Sequence, residues 1–398
     1  MTSMETQHVP GIVDFDGFKQ DLADPRIDFL EKGVRDKLVV RLLAAYLKNS
    51  VASCAYYRNL IKTNETDLSV FRTLEDFRRV PLLTPSRLDN IQPEELLPDA
   101  YLDALKKRHT LRSAPNNDTL AHKFSTSGST GKPKVVYYTK KDWEIIQAAI
   151  LRALQHVPFE DYASTFNCFN PGHVAAPVFR DALHTAGAVV VGKHFTHVEE
   201  KRVLSQLETE HAEFGGFDCL AVPPCTPPGM TQKGGTLRSL LDNDSNNVIG
   251  KRVRLIITTG APREHPSYDF NLIDELHQLN RLAKAEFKTK FVDFAGCAEV
   301  LPTMAECQNY GTGMHLLPGA AFTEVINPDT GEHVKNGERG LLVYTGLKYG
   351  SRYIRYVVGD EATYVDEPCK CGRTTPRIRD ISRVFDRKRL EGGCAGGF

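Results

Sequence analysis

The sequence predicts an α/β protein with a helical N-terminal region, a mostly parallel sheet with helices on its faces, and a β-rich subdomain. Its 398 residues exceed one simple core and favour two or three domains or subdomains. Apolar residues recur near every fourth position of residues 31–62, which predicts helix; they are Val34, Leu38, Leu42 and Tyr46. From residue 121 onward, short apolar runs alternate with helix-like runs, and this alternation favours parallel strands covered by helices.

Further elements follow from local patterns. Residues 74–84 predict a helix that ends at Pro81, because the residue before a proline disfavours helical backbone. The predicted strands are the apolar runs 135–138, 188–191, 253–258 and 341–344, and the predicted helices between them are 143–154 and 203–211. Residues 223–235 carry four prolines and three glycines and predict a loop, and residues 241–250 predict an exposed connection.

Composition excludes some classes of function. Lys plus Arg and Asp plus Glu both number 50, so the zero net charge argues against nucleic-acid binding through bulk charge. No run of 18 apolar residues predicts a membrane span, and the polar start lacks an apolar signal core, so we expect a cytoplasmic protein with no membrane partner. The nine cysteines are odd in number and irregularly spaced, which favours free thiols or metal ligands over a disulfide framework.

The stretch Ser125–Lys134 concentrates small hydroxyl residues, two glycines and two lysines ahead of a predicted strand. Glycine lets backbone amides turn toward a ligand, and hydroxyl and ammonium groups add donors that suit a polyphosphate. The stretch is not a Walker A loop, because Lys132 is followed by Pro133 and not by Ser or Thr. The alternative interpretation is a polar surface turn.

This decapeptide resembles the phosphate-binding signature of adenylate-forming enzymes, which join a carboxylate to AMP. From about residue 35 to residue 386 the sequence resembles the phenylacetate–CoA ligase branch of that superfamily. The resemblance implies the fold of the large N-terminal domain of these enzymes. It also implies that Lys134 is catalytic and that the loop binds ATP through Ser127, Gly128, Ser129, Thr130, Gly131 and Lys132.

The run 255–262 is an apolar strand pattern that ends in a Gly turn. Ligands of open α/β sheets bind at the carboxyl ends of strands, although an ordinary strand and turn would show the same pattern. The run resembles the adenine-contacting segment of the family, which implies that Gly260, Ala261 and Pro262 contact the base.

Two further runs that resemble sequence elements of the family each end in an acidic residue. The run 294–299 resembles the aromatic-Gly-x-x-Glu element, which implies that Glu299 holds Mg2+ against ATP, since this hard cation takes oxygen ligands. Phe294 lies one place further from the glycine than the usual aromatic residue does. The run 353–360 resembles Ile-Arg-Tyr-x-x-Gly-Asp, which implies that Asp360 binds the ribose hydroxyls. Without the resemblance, these are a surface glutamate and a Gly-Asp turn.

The acyl pocket is less clear in the sequence. Aromatic and glycine-rich walls suit a flat apolar acid, and they equally suit plain core packing. His173 is a candidate for polarising a carboxylate, or else a structural histidine. The residues placed at the substrate by resemblance are Phe169, His173, Gly215, Gly216 and Gly296.

Three cysteines and a histidine form a second candidate site. Three thiols and one imidazole make a closed tetrahedral zinc set, and four protein ligands leave no open coordination position, so this site would be structural. Similar sets occur in some relatives in the phenylacetate–CoA ligase branch. The alternatives are buried core cysteines or a chance Cys-x-Cys. The predicted zinc ligands are Cys307, His315, Cys369 and Cys371.

The predicted organisation is a helical region (1–110), an α/β nucleotide- and acyl-binding core (111–300), a β-rich subdomain with the zinc site (301–381), and a vestigial hinge and tail (382–398). Relatives continue as a mobile C-terminal domain that supplies a lysine, for which this sequence has no room. The chain is truncated, acts without that domain, or resembles the shorter fatty-acid–protein ligase of bacterial luminescence. That last interpretation makes Cys394 an acyl acceptor, in its Gly-Cys-Ala context.

The resemblance implies an AMP-forming acid–thiol ligase that uses ATP and Mg2+. An aryl or arylacetic acid would form acyl-AMP and then pass to a thiol, with CoA expected as the acceptor. The implied partners are a small carboxylic acid and CoA or a carrier or acceptor protein. The alternatives are transfer to the chain's own cysteine and a non-catalytic nucleotide-binding scaffold. The identity of the acid, the final acceptor and the assembly, including a homodimer, stay open.

Overall fold

The computed structural model describes residues 25–64, 71–107, 119–125, 134–155, 157, 163–169, 174–192, 200–209, 218–223, 237–259 and 272–391. The α-helices are α1 (Lys32–Ser53), α2 (Ala55–Thr63), α3 (Leu74–Arg78), α4 (Pro85–Asp89), α5 (Asp99–Lys107), α6 (Lys140–Leu154), α7 (Ala175–Thr185), α8 (Glu200–Thr209), α9 (Leu237–Asn243), α10 (Val248–Arg252), α11 (Leu272–Ala283) and α12 (Arg387–Leu390). Two short 3-10 helices span Pro25–Phe29 and Pro93–Leu96. The strands are β1 (Leu120–Ser125), β2 (Val135–Thr139), β3 (Ser164–Asn167), β4 (Val189–Gly192), β5 (Cys219–Ala221), β6 (Leu255–Thr259), β7 (Lys290–Cys297), β8 (Val300–Glu306), β9 (Met314–Leu316), β10 (Ala321–Ile326), β11 (Arg339–Gly346), β12 (Tyr356–Val365) and β13 (Arg377–Arg383).

Eleven of these strands form one mixed sheet in the order β10-β11-β12-β13-β9-β8-β7-β6-β5-β3-β4. From β4 to β7 neighbouring strands are parallel, and from β7 to β10 they are antiparallel. β7 therefore belongs to both halves. This architecture confirms the predicted α/β class, with the later strands supplying the β-rich part.

Helices cover both faces of the parallel half, because its strands alternate between two apolar clusters. Leu255 and Ile257 join the cluster that includes residues of α6 and α7, while Ile256 joins the one that includes residues of α8 to α11. All three side chains are nearly fully buried. Parallel strands buried on both faces have near-continuous apolar sequences, which is why the predicted strand 253–258 coincides with β6 to within two residues.

The first strands form a separate hairpin, β1 with β2. The N-terminal region is tied to the antiparallel half through Leu83, which pairs with the start of β12. The Leu83 N–H donates to the Arg355 carbonyl at 2.8 Å, and the Val357 N–H donates to the Leu83 carbonyl at 3.1 Å. This contact joins the helical region to β12, the strand that carries the predicted site residue Asp360.

The helix predicted from the apolar spacing of residues 31–62 is confirmed by α1 and α2, in which Leu42 and Tyr46 are buried and Val34 is 50% exposed. One local expectation is wrong. The expected exposed connection 241–250 ends in α10, where Val248 and Ile249 are buried in the core. Aspartate and asparagine residues directly precede this short helix, so the sequence pattern does not predict it. Among the described helices no single one is long and apolar enough to cross a membrane; α1 and α2 pass that test only as a pair, bent by 103°.

Candidate functional site

The β1–β2 hairpin holds the two ends of the predicted phosphate loop. Ser125, the last residue of β1, pairs with Val135, the first residue of β2. The predicted phosphate-binding residues Ser127–Lys132 lie between these strands, outside the described residues. The loop therefore begins and ends at one point of the hairpin, and Lys134 lies at its exit.

Lys134, Glu299 and Tyr356 meet at this exit. The Lys134 ammonium donates to the Tyr356 hydroxyl at 2.8 Å and lies 3.5 Å from Oε1 of Glu299. The Tyr356 hydroxyl donates to the same carboxylate oxygen at 3.1 Å. Glu299 is 5% exposed, so a nearly buried carboxylate is held by a cation and a phenol. Sequence reasoning assigned roles to the lysine and the glutamate but none to Tyr356.

A tight turn between β7 and β8 presents Glu299 at this point. Gly296 lies just before the turn, where a Cβ atom would come within 3.1 Å of the Val300 carbonyl. A larger residue would thus crowd the turn. Phe294, two residues earlier, is buried and packs edge-on against Phe179 at 5.2 Å between ring centroids. The aromatic residue of this element therefore packs in the core.

Asp360 follows Tyr356 by four residues on β12, a distance of about 13 Å along a strand. Its Oδ1 accepts a hydrogen bond at 3.0 Å from Arg383 on β13. Gly359 adopts φ +94, and a Cβ atom there would lie 3.4 Å from the Arg383 guanidinium. The half-buried carboxylate is thus paired with a hinge-segment arginine to which sequence reasoning assigned no role.

The predicted base-contacting residues Gly260, Ala261 and Pro262 follow the carboxyl end of β6 and lie outside the described residues. The predicted His173, Gly215, Gly216 and Cys394 also lie outside them. Phe169 follows the carboxyl end of β3, is buried, and stacks on Phe179 at 5.4 Å between centroids. Because β3, β5, β6 and β7 are parallel, their carboxyl ends share one edge of the sheet.

Cys307, His315, Cys369 and Cys371 form a compact cluster of potential metal ligands. Their ligand atoms all lie within 4.8 Å of one another. The sulfurs of Cys307 and Cys369 are 3.8 Å apart, and the Cys371 sulfur is 3.4 Å from His315 Nε2. Two thiolates at 2.3 Å from a tetrahedral zinc ion would be about 3.8 Å apart. Segments more than fifty residues apart in sequence meet at this cluster.

Contacts around the cluster orient its ligands. His315 is 1% exposed, and its Nδ1 lies 3.1 Å from the Thr375 carbonyl oxygen and 2.9 Å from the Thr375 hydroxyl. A proton on Nδ1 donated to that carbonyl leaves Nε2 as the ligand atom, the usual arrangement of a metal-binding histidine. A hydrogen bond from the Cys307 thiol lowers the pKa of Cys371, which favours its thiolate, the form that binds metals.

Comparison with known proteins gives one curated relative. No family model matches the chain. The phenylacetate–coenzyme A ligase of Thermus thermophilus is 25% identical over 351 residues, which cover 86% of this chain and 68% of the relative. Over this span the chain is similar to a phenylacetate–CoA ligase, the branch that its sequence motifs resemble.

Solved structures show the same fold as this chain. An open conformation of 2-hydroxyisobutyryl-CoA ligase, in complex with 2-HIB-AMP and CoA, matches with a TM-score of 0.70 at 19% identity. The match covers 91% of this chain and 72% of that one. The same ligase in the postadenylation state matches with a TM-score of 0.68, also at 19% identity. The chain thus has the large-domain fold expected from its sequence.

Proposed function

We propose that this chain is an AMP-forming acid–CoA ligase. It joins a small carboxylic acid to the AMP part of ATP, releases pyrophosphate, and transfers the acyl group to the thiol of CoA. The observation that carries the proposal is the meeting of Lys134, Glu299 and Tyr356 at the exit of the phosphate loop. Asp360 lies on the same strand as Tyr356, and its sequence context resembles that of a ribose-binding carboxylate.

The residues at this point suit a magnesium nucleotide. Mg2+ typically takes one or two protein carboxylates and fills its other positions with water and phosphate oxygens. Glu299 offers one nearly buried carboxylate, and the lysine and the phenol beside it both contact Oε1. When bound, Mg2+ would neutralise charge on the phosphates. The Lys134 ammonium, at the loop exit, would stabilise the negative charge that develops during transfer.

The proposed reaction has two steps. A carboxylate oxygen of the acid attacks the α-phosphorus of ATP, the bond to the bridging oxygen of the β-phosphate breaks, and pyrophosphate leaves. The thiolate sulfur of CoA then attacks the acyl carbon, and AMP leaves with the electron pair of the mixed anhydride. Asp360 would hold the ribose hydroxyls through both steps, with Arg383 fixing its carboxylate at 3.0 Å.

An aryl or arylacetic acid is the substrate class we propose. The curated relative is named for phenylacetate. Phe169 and Phe179 stack at the end of β3, and Phe294 packs against Phe179, so aromatic side chains lie near the strand ends where ligands of such sheets bind. A flat apolar acid suits such a wall.

The test is ATP–pyrophosphate exchange over a panel of acids that includes phenylacetate, benzoate and 2-hydroxyisobutyrate. We expect exchange with at least one aromatic acid. Lys134→Met and Glu299→Gln should each lower it at least a hundredfold, the usual cost of losing a group that stabilises transition-state charge. Lys123→Met is the matched control, because Lys123 is an exposed lysine of the same hairpin whose ammonium lies over the Tyr137 ring.

Two alternatives give different results in the same experiment. A scaffold protein would bind ATP without exchange for any acid. An acyl-protein ligase would show exchange, and its intact mass after incubation with ATP and acid would rise by the acyl group, an increase that Cys394→Ser would remove. Exchange with release of acyl-CoA and an unchanged protein mass supports the CoA ligase.

We also propose that the cluster of Cys307, His315, Cys369 and Cys371 holds a structural zinc ion. The support is the sulfur–sulfur distance of 3.8 Å, the burial of three of the four ligands, and the orientation of His315 by Thr375. Four protein ligands leave zinc no open position for chemistry. The ion would therefore stabilise the fold and take no part in acyl transfer.

A further inference from the structure

The turn that carries Glu299 is fixed by two side chains from other parts of the chain. The Tyr138 hydroxyl donates to the Ala298 carbonyl, and the Lys348 ammonium donates to the Glu299 carbonyl. Tyr138 is 0% exposed and Lys348 is 3% exposed. Two successive carbonyls of one turn are thus held by buried donors.

Lys348 is an unusual residue to bury. Burial lowers its pKa to about 8, although nearby Asp142, Cys297 and Glu299 oppose that shift. The ammonium lies 4.1 Å above the centre of the Tyr138 ring, a favourable contact for a desolvated cation. Placing a lysine away from water costs free energy, and an apolar residue of similar length would avoid this cost. Such a residue could make neither the cation–π contact with Tyr138 nor the hydrogen bond to the Glu299 carbonyl, and only the hydrogen bond acts on the turn.

The backbone around Lys348 is itself held rigidly. Asp142, fully buried at the start of α6, accepts hydrogen bonds from the N–H groups of Tyr349 at 2.6 Å and Gly350 at 2.9 Å. Gly350 packs so closely on the Tyr137 carbonyl that a Cβ atom would overlap it. The ammonium therefore reaches the turn from a fixed base, and a rigid support is what a precisely aimed group requires.

We propose that Lys348 is a positioning residue for adenylation. Together with Tyr138 it fixes the direction in which the Glu299 carboxylate points. Tyr138 lies four residues beyond Lys134 on the strand that leaves the phosphate loop, so one hairpin contacts both the carboxylate and the turn behind it. The inference rests on the proposed function, because the carboxylate is aimed at a magnesium nucleotide. Without the clamp the carboxylate would sample other directions and lose its preorganisation.

The experiment measures binding of a non-hydrolysable ATP analogue, α,β-methylene-ATP, by calorimetry over a series of Mg2+ concentrations. Lys348→Met keeps the length of the side chain and removes its donor and charge. We expect the Mg2+ concentration for half-maximal tightening to rise about tenfold, equivalent to about 1.4 kcal/mol. Binding of the Mg2+-free analogue should change less than twofold. Lys141→Met is the control, because Lys141 is a nearby lysine whose ammonium lies over the Tyr349 ring.

Tyr138→Phe is a second variant, which removes the hydroxyl that donates to the Ala298 carbonyl of the same turn. We expect a smaller shift of the Mg2+ midpoint in the same direction. The double variant should cost less than the sum of the two shifts, because both groups hold one turn. Melting temperatures measured without nucleotide show whether each variant is folded. Should Lys348→Met not fold, the Mg2+ midpoint of Tyr138→Phe decides: a raised midpoint supports the clamp and an unchanged one overturns it.

A folded Lys348→Met protein with the wild-type Mg2+ midpoint would overturn the inference and leave the proposed function standing. A wild-type protein whose binding of the analogue does not depend on Mg2+ would overturn the proposed function, and the inference with it. The first result comes from the variant and the second from the wild type, so the two failures are distinguishable.

Discussion

Arg355 belongs to the Ile-Arg-Tyr run that resembles the family element, but its side chain holds the fold together. The guanidinium forms two bonds to Glu324 at 3.1 and 3.2 Å, and it donates to the carbonyls of Arg78 and Val80. Arg355 is 3% exposed and Glu324 is 0% exposed. The sequence could indicate the run, but partners 31 to 277 residues away appear only in the folded chain.

Arg355→Met should therefore destabilise the protein strongly. Removing one member of a buried ion pair typically costs about 3 to 5 kcal/mol, and Glu324 would keep only the more distant Arg78, at 3.9 Å. We expect the urea midpoint for unfolding to fall accordingly. Arg379→Met is the control, since its pair with Asp380 is about half exposed and such pairs contribute only about 0 to 1 kcal/mol. Equal midpoints for the two variants would contradict this account.

Residues that carry a motif were predictable one by one, whereas residues that act through a neighbour were not. Glu299 and Asp360 close recognisable runs, and in the structure they lie at the turn between β7 and β8 and on β12. Tyr356 lies within the second run, where the pattern gave it no role of its own, and Lys348 lies before that run. Their roles depend on contacts with Lys134 and the Glu299 turn, and those contacts exist only once distant segments have paired.

At the scale of elements, burial pattern decides what could be predicted. Strands such as β6 are buried on both faces, so their apolar runs identified them. α10 is five residues long and follows a polar run, and its three buried residues, Val248 to Gly250, are too short a pattern for a period to be recognised. The β1–β2 hairpin needs tertiary contacts as well. Alternate residues of β1 are half-buried, and two of them, His122 and Phe124, lie against Trp143 of α6.

The packing of the hairpin on α6 can be followed by fluorescence, because Trp143, against which the hairpin packs, is the single tryptophan of the sequence. The His122 ring lies 4.0 Å from it, and burial lowers the pKa of His122 below 6.5, with Asp181 opposing and Arg180 adding to the shift. A histidine with a lowered pKa adds stability that is complete above pH 6.5 and is lost as the pH falls toward the folded-state pKa. We expect Trp143 fluorescence to titrate with a midpoint below 6.5.

His122→Phe keeps a flat ring against Trp143 and removes the titrating group. This variant should lose the fluorescence titration and should also lose the fall in melting temperature between pH 6.5 and 5 that is due to this histidine. Trp143 Nε1 donates to Asp181 at 2.8 Å, so Asp181→Asn tests whether that carboxylate is the source instead. A titration that survives in His122→Phe and disappears in Asp181→Asn would contradict the assignment to His122.

Across the whole molecule, the candidate site forms where the two halves of the large sheet are joined. β7 is parallel to β6 and antiparallel to β8, and the turn after it carries Glu299. β12, in the antiparallel half, supplies Tyr356 and Asp360, and the separate hairpin supplies Lys134. No single segment contains the site. The site therefore forms only when the two halves of the sheet and the β1–β2 hairpin have packed together correctly.

The cysteine–histidine cluster brings strands of the antiparallel half together near the helical N-terminal region. Cys307 follows β8, His315 lies in β9, and the other two ligands lie between β12 and β13. Thr374, three residues beyond Cys371, donates its N–H to the Asp28 carbonyl at 2.8 Å, and its own carbonyl accepts from Arg35 at 2.5 Å. A metal at the cluster would therefore hold the start of the chain's helical region onto the antiparallel strands.

Metal removal should accordingly destabilise the whole protein. We expect one zinc per chain by atomic emission, and a loss of about 4 kcal/mol on chelation if zinc is held at a thousand times its dissociation constant. Cys371→Ser and His315→Gln should lower both metal content and melting temperature, while Cys54→Ser, a buried cysteine outside the cluster, should keep its zinc. Because the four ligands leave no open position, exchange activity should fall only as the protein unfolds. Wild-type protein that neither retains nor binds zinc, at an unchanged melting temperature, would show that these thiols are core residues.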